Sequence, residues 1–260
     1  MVRYVQSRTG FTGRIAVVLG SGLGAFSEGL TNPRVIPYAA IPNYPLPSVE
    51  GHSGELVSGF LNDIPLLVAK GRFHRYEGHG LERVTLPIRL FHALGVRRVI
   101  ITNAAGSLQP EFTPGSLLLL TGHLDCTFQE HPRQPQPVTV PPYYVPILLE
   151  IARCSAQEVG ITLREGIYCW TLGPAYETPE EIRYFQSLGG AAVGMSTVPE
   201  INWAGSHGLE PLAISMLTNF AAGLSATPLT HEEVIETANQ VKDSLLRFLT
   251  RVIQKLEGLP

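Results

Sequence analysis

The chain has 260 residues, 44 % of them apolar, enough to bury a sizeable core in one domain spanning 1–260. A net charge of −3, with no basic run or basic stripe interleaved with aromatics, argues against nucleic acid or an anionic membrane as partner and favours a small polar ligand. Cys126, Cys154 and Cys169 are odd in number and lack a CxxC spacing, and the start "MVRYVQSRTG" has no apolar stretch of the kind a secretion signal needs, so a cytoplasmic protein with reduced thiols is expected.

Strand and helix patterns alternate along the chain, which predicts an α/β fold: a single domain built on a twisted, mixed but largely parallel β-sheet flanked by helices. The first strand is "RIAVVLG" (14–20), followed by the glycine-rich turn "GSGLGA" (20–25), whose backbone can approach a ligand closely and whose Ser21 hydroxyl can donate to it. That turn fits the dinucleotide pattern G-x-G-x-x-A, but the acidic residue expected about 20 positions on is missing from "AAIPNYP" (39–45), which ranks a dinucleotide site low. The strand "IPLLVAK" (64–70) runs into "GRFHRYEG" (71–78), with two arginines, a histidine, a tyrosine and a glutamate between two glycines. "RRVIITN" (97–103) leads to "TNAAG" (102–106), a small-residue turn able to present backbone N–H groups, and "GSLLLLT" (115–121) is the next strand. Residues 127–146 carry six prolines and are expected to form a surface loop, a candidate lid. Further strands are expected at 164–170, 191–195 and 210–218, and the closing helix shows one apolar face through Val234, Ala238, Val241, Leu245, Phe248 and Val252.

Three capping-box patterns mark helix starts: Thr178 with Glu181, Thr197 with Glu200 and Thr230 with Glu233. Each has a polar neighbour of interest, respectively Glu177, Ser196 and His231, and Ser196 thereby lies where a helix N-terminus attracts an anion. Ser21, Arg72, His74, the 104–106 turn and Ser196 all follow strands, and open α/β sheets bind ligands at the carboxyl ends of their strands. Arg72 supplies a fork of donors suited to phosphate, and His74 points to the same side if the extended backbone continues. The plainer alternative for 71–78 is a solvated loop whose charges pair with each other. A metal is not expected, since no HExxH is present and His74 with His79 make a poor ligand pair.

In this order, "GSGLG", "GRFHRYEG", "TNAAG", "AVGMSTVPE" and "TNFAAG" resemble the purine nucleoside phosphorylases of the low-molecular-weight, trimeric class, over roughly residues 14 to 250. The stretches "IPNYPLPSVEGHSGEL" (41–56) and "PLTHEEV" (228–234) add to the likeness. The resemblance implies a nucleoside phosphorylase-like fold, a homotrimer, and cleavage of inosine, guanosine and their 2′-deoxy forms by inorganic phosphate to free base and (deoxy)ribose 1-phosphate, in purine salvage. Phosphate is then a co-substrate and no cofactor is required. By the same resemblance Ser21, His52, Arg72, His74, Ala104 and Ser196 bind phosphate, and Tyr76, Met195 and His231 hold the ribose. Ala105, Gly106, Glu177, Val193, Gly194 and Asn219 contact the purine, with Asn219, Glu177 and His74 the residues of catalysis.

The chemistry suits these residue types, because glycosidic cleavage passes through a ribosyl cation between an arriving anion and a departing base. Asn219 can hydrogen-bond N7 and O6 as negative charge develops on the purine, and Glu177 can accept from N1–H. The likeness has departures: the family's segment "NPL.GPND..RF" after the position of Asp125 is absent, leaving Phe128, Tyr143 or Tyr144 as substitutes for the aromatic that reaches a neighbouring subunit. Ser107 stands where glycine is frequent, and Phe220 where lysine or methionine is common. Two rivals are a 5′-methylthioadenosine phosphorylase, which generally has aspartate at the position of Asn219 and an apolar residue at that of His231, and a non-catalytic nucleoside binder on the same scaffold.

Overall fold

Strand β1 (Ile15–Leu19) is buried at all five positions, and its Ala16 and Val18 face one apolar cluster while Ile15, Val17 and Leu19 face another. A β-branched run covered on both faces is what a central parallel strand requires. In the computed structural model, which describes residues 1–48, 53–129, 134–225 and 231–259 (for 231–235 and 238–240 the backbone only), eight further strands join it. They are β2 (Thr31–Pro37), β3 (Glu55–Leu61), β4 (Ile64–Lys70), β5 (Arg98–Ser107), β6 (Leu117–Asp125), β7 (Leu163–Trp170), β8 (Gly190–Gly194) and β9 (Glu210–Phe220). The helices are α1 (Val2–Thr9), α2 (Leu81–Val84), α3 (Leu86–Ala93), α4 (Pro146–Glu158), α5 (Pro179–Ser187), α6 (Val198–Ser206) and α7 (His231–Glu257).

The strands form one sheet in the order β2-β3-β4-β1-β5-β8-β7-β6-β9, and β9 also pairs with β5. Five strands, β5, β8, β7, β6 and β9, therefore close a ring, while β1 to β4 extend from it as an open sheet. Pairings β1–β4, β1–β5, β5–β9, β6–β7 and β7–β8 are parallel, and β2–β3, β3–β4, β5–β8 and β6–β9 are antiparallel. Helices α3 and α6 cover one face through residues such as Ile88, Phe91 and Ile201, and α4 and α7 cover the other through Leu148, Phe248 and Val252. A third cluster, Leu124, Cys126, Cys169, Ile182, Phe185 and Val193, seats α5. On α7 the expected face is buried at Leu245, Phe248 and Val252; the side chains of Val234 and Ala238 lie outside the described residues.

Strand β5 positions the site. One of its edges pairs with β9 from Arg98 to Ser107, whereas the other pairs with β1 up to Ile101 and with β8 only at Gly106 and Ser107. Residues 102–105 thus face the gap where β1 and β8 diverge, the kind of switch point at which α/β sheets bind ligands. The sequence suggests a turn at 102–106; the structure corrects this, since pairing with β9 continues through it with a bulge at Ala105/Gly106. The small residues border the cavity and do not reverse the chain.

Two other expectations change. The Thr178 box forms, with Thr178 N donating to Glu181 Oε2 (2.7 Å) and Glu181 N to Thr178 Oγ1 (3.3 Å), but Thr197 makes no side-chain cap and Glu200 is 1 % exposed. The Thr230 box lies outside the described residues. The proline-rich stretch is also less of a surface loop than its composition implies. Val138 bridges His123, and Tyr144 is 3 % exposed with its hydroxyl 2.8 Å from His123 Nδ1. Tyr144 belongs to its own chain's core and is not available to reach a neighbour. No helix among the described residues is long and apolar enough to cross a membrane.

Candidate active site

A cavity of about 280 Å³ opens at the gap between β1 and β8. Its walls include Gly20 and Ser21 after β1, Arg72, His74 and Tyr76 after β4, and residues 103–106 of β5. Glu177 before α5, the stretch 193–196 leaving β8, and Asn219 near the end of β9 complete it. Every residue expected to contact phosphate, sugar or base and whose side chain is described lines this one cavity. His52 lies outside the described residues, and His231 opens α7 with its side chain outside them.

Arg72 is 1 % exposed and held on several sides. Its Nη1 donates to Ser196 Oγ (2.9 Å) and Thr197 Oγ1 (3.2 Å), its Nη2 to the Thr102 carbonyl (2.6 Å), and its Nε lies 3.7 Å from Glu200 Oε2. A guanidinium fixed in this way presents its charge in one orientation, as recognition of a tetrahedral anion requires. His74 extends from the same segment. Its backbone N–H donates to Glu77 Oε1 (2.6 Å), its Nδ1 is 3.1 Å from that oxygen, and its ring stacks on Tyr76 at 4.7 Å and 15°. Burial pushes the Glu77 carboxyl up, but hydrogen bonds from His74 and Ser48 outweigh it and hold the group well below the usual carboxylate range. Residues 71–78 therefore satisfy both readings of their charge: Glu77 pairs internally with His74, and Arg72 turns inward to the cavity.

Apart from Arg72, His74 and Glu177, the side chains around the cavity are neutral. Tyr76 and Met195 sit under Gly173, where an added Cβ would lie 2.3 Å from Met195 Sδ and 3.0 Å from Tyr76 Cδ1; with φ at +69° this position suits glycine alone. Burial pushes the Tyr76 phenol up to about 12, so it is a neutral hydroxyl at physiological pH. On the far wall Glu177 Oε1 accepts from Thr171 Oγ1 (2.6 Å), and burial raises the carboxyl's pKa above its ordinary value against that hydrogen bond. Asn219 Oδ1 accepts from Thr218 Oγ1 (2.8 Å) while its Nδ2 donates to the Phe220 carbonyl (2.9 Å), which fixes which end of the amide is the donor. A Cβ added at Gly106 would lie 3.2 Å from Asn219 Nδ2 and 3.4 Å from Val193 Cγ1, so the glycine leaves room beside both side chains.

Several residues here are not found by sequence reasoning. Thr171, just past the strand expected at 164–170, and Thr218, at the end of the strand expected at 210–218, orient Glu177 and Asn219 and carry no local signal. Asn103 donates to Thr197 Oγ1 (2.8 Å), and Glu200 backs Arg72; both lie inside motifs given a different reading. Phe128, Tyr143 and Tyr144 do not line this chain's cavity.

One cavity thus brings together a cation fixed by hydrogen bonds, a neutral phenol and thioether, a half-buried carboxylate and an oriented amide. Comparison with known proteins places the chain in a family. A family model described as the phosphorylase superfamily matches residues 14–254. The chain is 43 % identical to purine nucleoside phosphorylase 1 of Geobacillus stearothermophilus, over 94 % of this chain and 91 % of that one. It is 36 % identical to the rat purine nucleoside phosphorylase, over 97 % and 92 %. The crystal structure of the Schistosoma mansoni purine nucleoside phosphorylase with inosine superposes with a TM-score of 0.88 at 32 % identity, covering all of this chain and 95 % of that one. A shared sequence signature and a shared fold converge on one conclusion: the chain belongs to the phosphorylase superfamily and, within it, to the purine nucleoside phosphorylases.

Proposed function

We propose that the protein is a purine nucleoside phosphorylase acting on 6-oxopurine nucleosides, inosine, guanosine and their 2′-deoxy forms, with release of the base and (deoxy)ribose 1-phosphate. The observation that carries this reading is the one cavity that Arg72, His74 and Ser196 line together with Glu177 and Asn219. Phosphate held at Arg72, Ser196, Ser21 and the backbone of 104 attacks C1′ as a positioned nucleophile, which removes most of the entropic cost of a bimolecular encounter. His74 adds a donor to the anion. Tyr76, Met195 and His231 hold the sugar. As the C1′–N9 bond breaks, Asn219 Nδ2 donates to N7 and Glu177 accepts from N1–H, so the purine's developing charge meets a donor placed in advance. Such a donor is typically worth about 2.7 to 4 kcal/mol in the transition state.

This mechanism calls on no cofactor or metal, because phosphate is the co-substrate and the chain's own groups handle the charge. A homotrimer in the cytoplasm completes the reading, with light scattering the check on assembly. Hypoxanthine release from inosine, assayed with and without phosphate, is the direct test: release that needs phosphate supports the reading, and none at all favours a non-catalytic binder. A preference for 5′-methylthioadenosine or adenosine over inosine would support the rival activity, against which Asn219 stands.

A further inference from the structure

We infer that Thr197 is a positioning residue for phosphate: its hydroxyl orients both the Arg72 guanidinium and the proton of Ser196 toward the cavity. The inference rests on the proposed phosphorolysis for its biological meaning, but its geometry stands on the hydrogen bonds themselves. Thr197 is fully buried and has φ 76° and ψ −48°, a backbone conformation that a β-branched residue rarely adopts. The Val198 N–H donates to the Ser196 carbonyl at 2.8 Å across it, closing a three-residue γ-turn of the strained, positive-φ kind. Glycine would take this conformation without strain. Strain of this sort persists where the surroundings enforce it, and it clusters at functional sites.

The hydrogen bonds indicate what the side chain is kept for. A hydroxyl has two acceptor positions and one proton. Thr197 Oγ1 accepts from Arg72 Nη1 (3.2 Å) and from Asn103 Nδ2 (2.8 Å), so its own proton goes to the remaining neighbour, Ser196 Oγ, at 3.1 Å. Ser196 Oγ then accepts twice, from Thr197 and from Arg72 Nη1 (2.9 Å), and its proton is left to donate. Ser196 lines the cavity. The chain of donors from Asn103 and Arg72 through Thr197 fills the acceptor positions of Ser196 and leaves it one proton to donate, which suits an anion in the cavity, with the Tyr168 hydroxyl as the other group beside it. Asn103, Thr197 and Arg72 come from three separate segments, so the strained turn is where they are tied together.

The experiment compares Thr197→Ser, Thr197→Val and Thr197→Gly with the wild type, using inorganic phosphate as the probe in calorimetry and steady-state KM for phosphate and for inosine. The Ser variant keeps the hydroxyl and should bind phosphate within about threefold of wild type. Val keeps the shape and Gly relieves the strain, yet both lack the hydroxyl. Both should lose tenfold or more in phosphate affinity with little change in the KM for inosine, and Gly should melt higher than Val. A purely structural role would make affinity follow melting temperature. Gly or Val binding phosphate like wild type overturns the inference, as does a Ser variant that loses affinity. If Val does not fold, Gly decides. Wild type that binds phosphate but does not cleave inosine would sink the proposed function while leaving this test intact; wild type that does not bind phosphate overturns both.

Discussion

Arg72→Met should destabilise the protein through a residue on another element. Arg72 Nε is 3.7 Å from Glu200 Oε2, the two side chains are 2 % and 1 % exposed, and among the described residues neither Glu200 oxygen accepts a hydrogen bond. Met preserves most of the arginine stem's volume, so the cavity left behind is small and the main consequence is a buried carboxylate without its counter-charge. Breaking a buried pair in this way costs about 3–5 kcal/mol. For a chain of this size each kcal/mol moves the melting temperature by about 2–4 °C, which makes the expected drop roughly 6–20 °C. Glu200→Gln removes the stranded charge, so the Arg72→Met/Glu200→Gln double variant should recover at least about half the loss, a coupling of the order of 2 kcal/mol. Urea unfolding of the four proteins in phosphate-free buffer measures this, since bound phosphate would itself stabilise the folded state by mass action. A double variant as unstable as Arg72→Met alone, or less stable, would refute the claim that Glu200 is the counter-charge.

Three further outcomes are expected. Thr171→Val removes the hydrogen bond that favours the ionised form of Glu177, whose pKa burial already raises; the acidic limb of kcat/KM for inosine should move to higher pH, and an unmoved limb argues that Glu177 does not accept from the base. Asn219→Asp should raise the ratio of adenosine to inosine cleavage, mainly because inosine turnover falls when its O6 meets a carboxylate; an unchanged ratio removes Asn219 as the base reader. His123 is buried beside Tyr144, and burial, against a smaller opposing effect of Asp125, lowers its pKa from 6.5 to about 4. The unfolded chain therefore takes up a proton that the folded one refuses, so stability should fall as pH drops through 6.5 and level off below about 4; denaturant curves of His123→Gln should lose that part of the slope.

Much of this was legible in the sequence wherever the pattern was local. The run 64–70 is a strand at the expected bounds, and Thr178 caps α5 as its box requires. β2 escaped because "TNPRVIP" carries two prolines and exposes all but one residue, and β3 because "ELVSGFL" shows no alternation and carries Gly59; what makes them strands is their pairing with each other and that of β3 with β4. "TNAAG" misled for a related reason: small residues read as a turn unless the β9 ladder beside them is known. Thr197 with Glu200 has the same spacing as Thr178 with Glu181, yet Glu200 answers an arginine 128 positions away in sequence, which no window of the chain around the helix start contains. Assignment of the phosphate and base residues came from family likeness, and the structure adds the threonines, Thr171, Thr197 and Thr218, that set their orientation.

The divided edge of β5 also separates two kinds of change open to a lineage of such proteins. In the proposed reading, groups that handle the anion come from the ends of β1 and β4 and the start of α6, those that read the base come from β9 and the segment between β7 and α5, and β5 and the stretch 193–196 contribute to both. Substitutions that exchange one nucleobase for another can accumulate on the second set without disturbing the buried arginine and its supports. A scaffold partitioned in this manner can diversify its leaving group while its nucleophile stays the same.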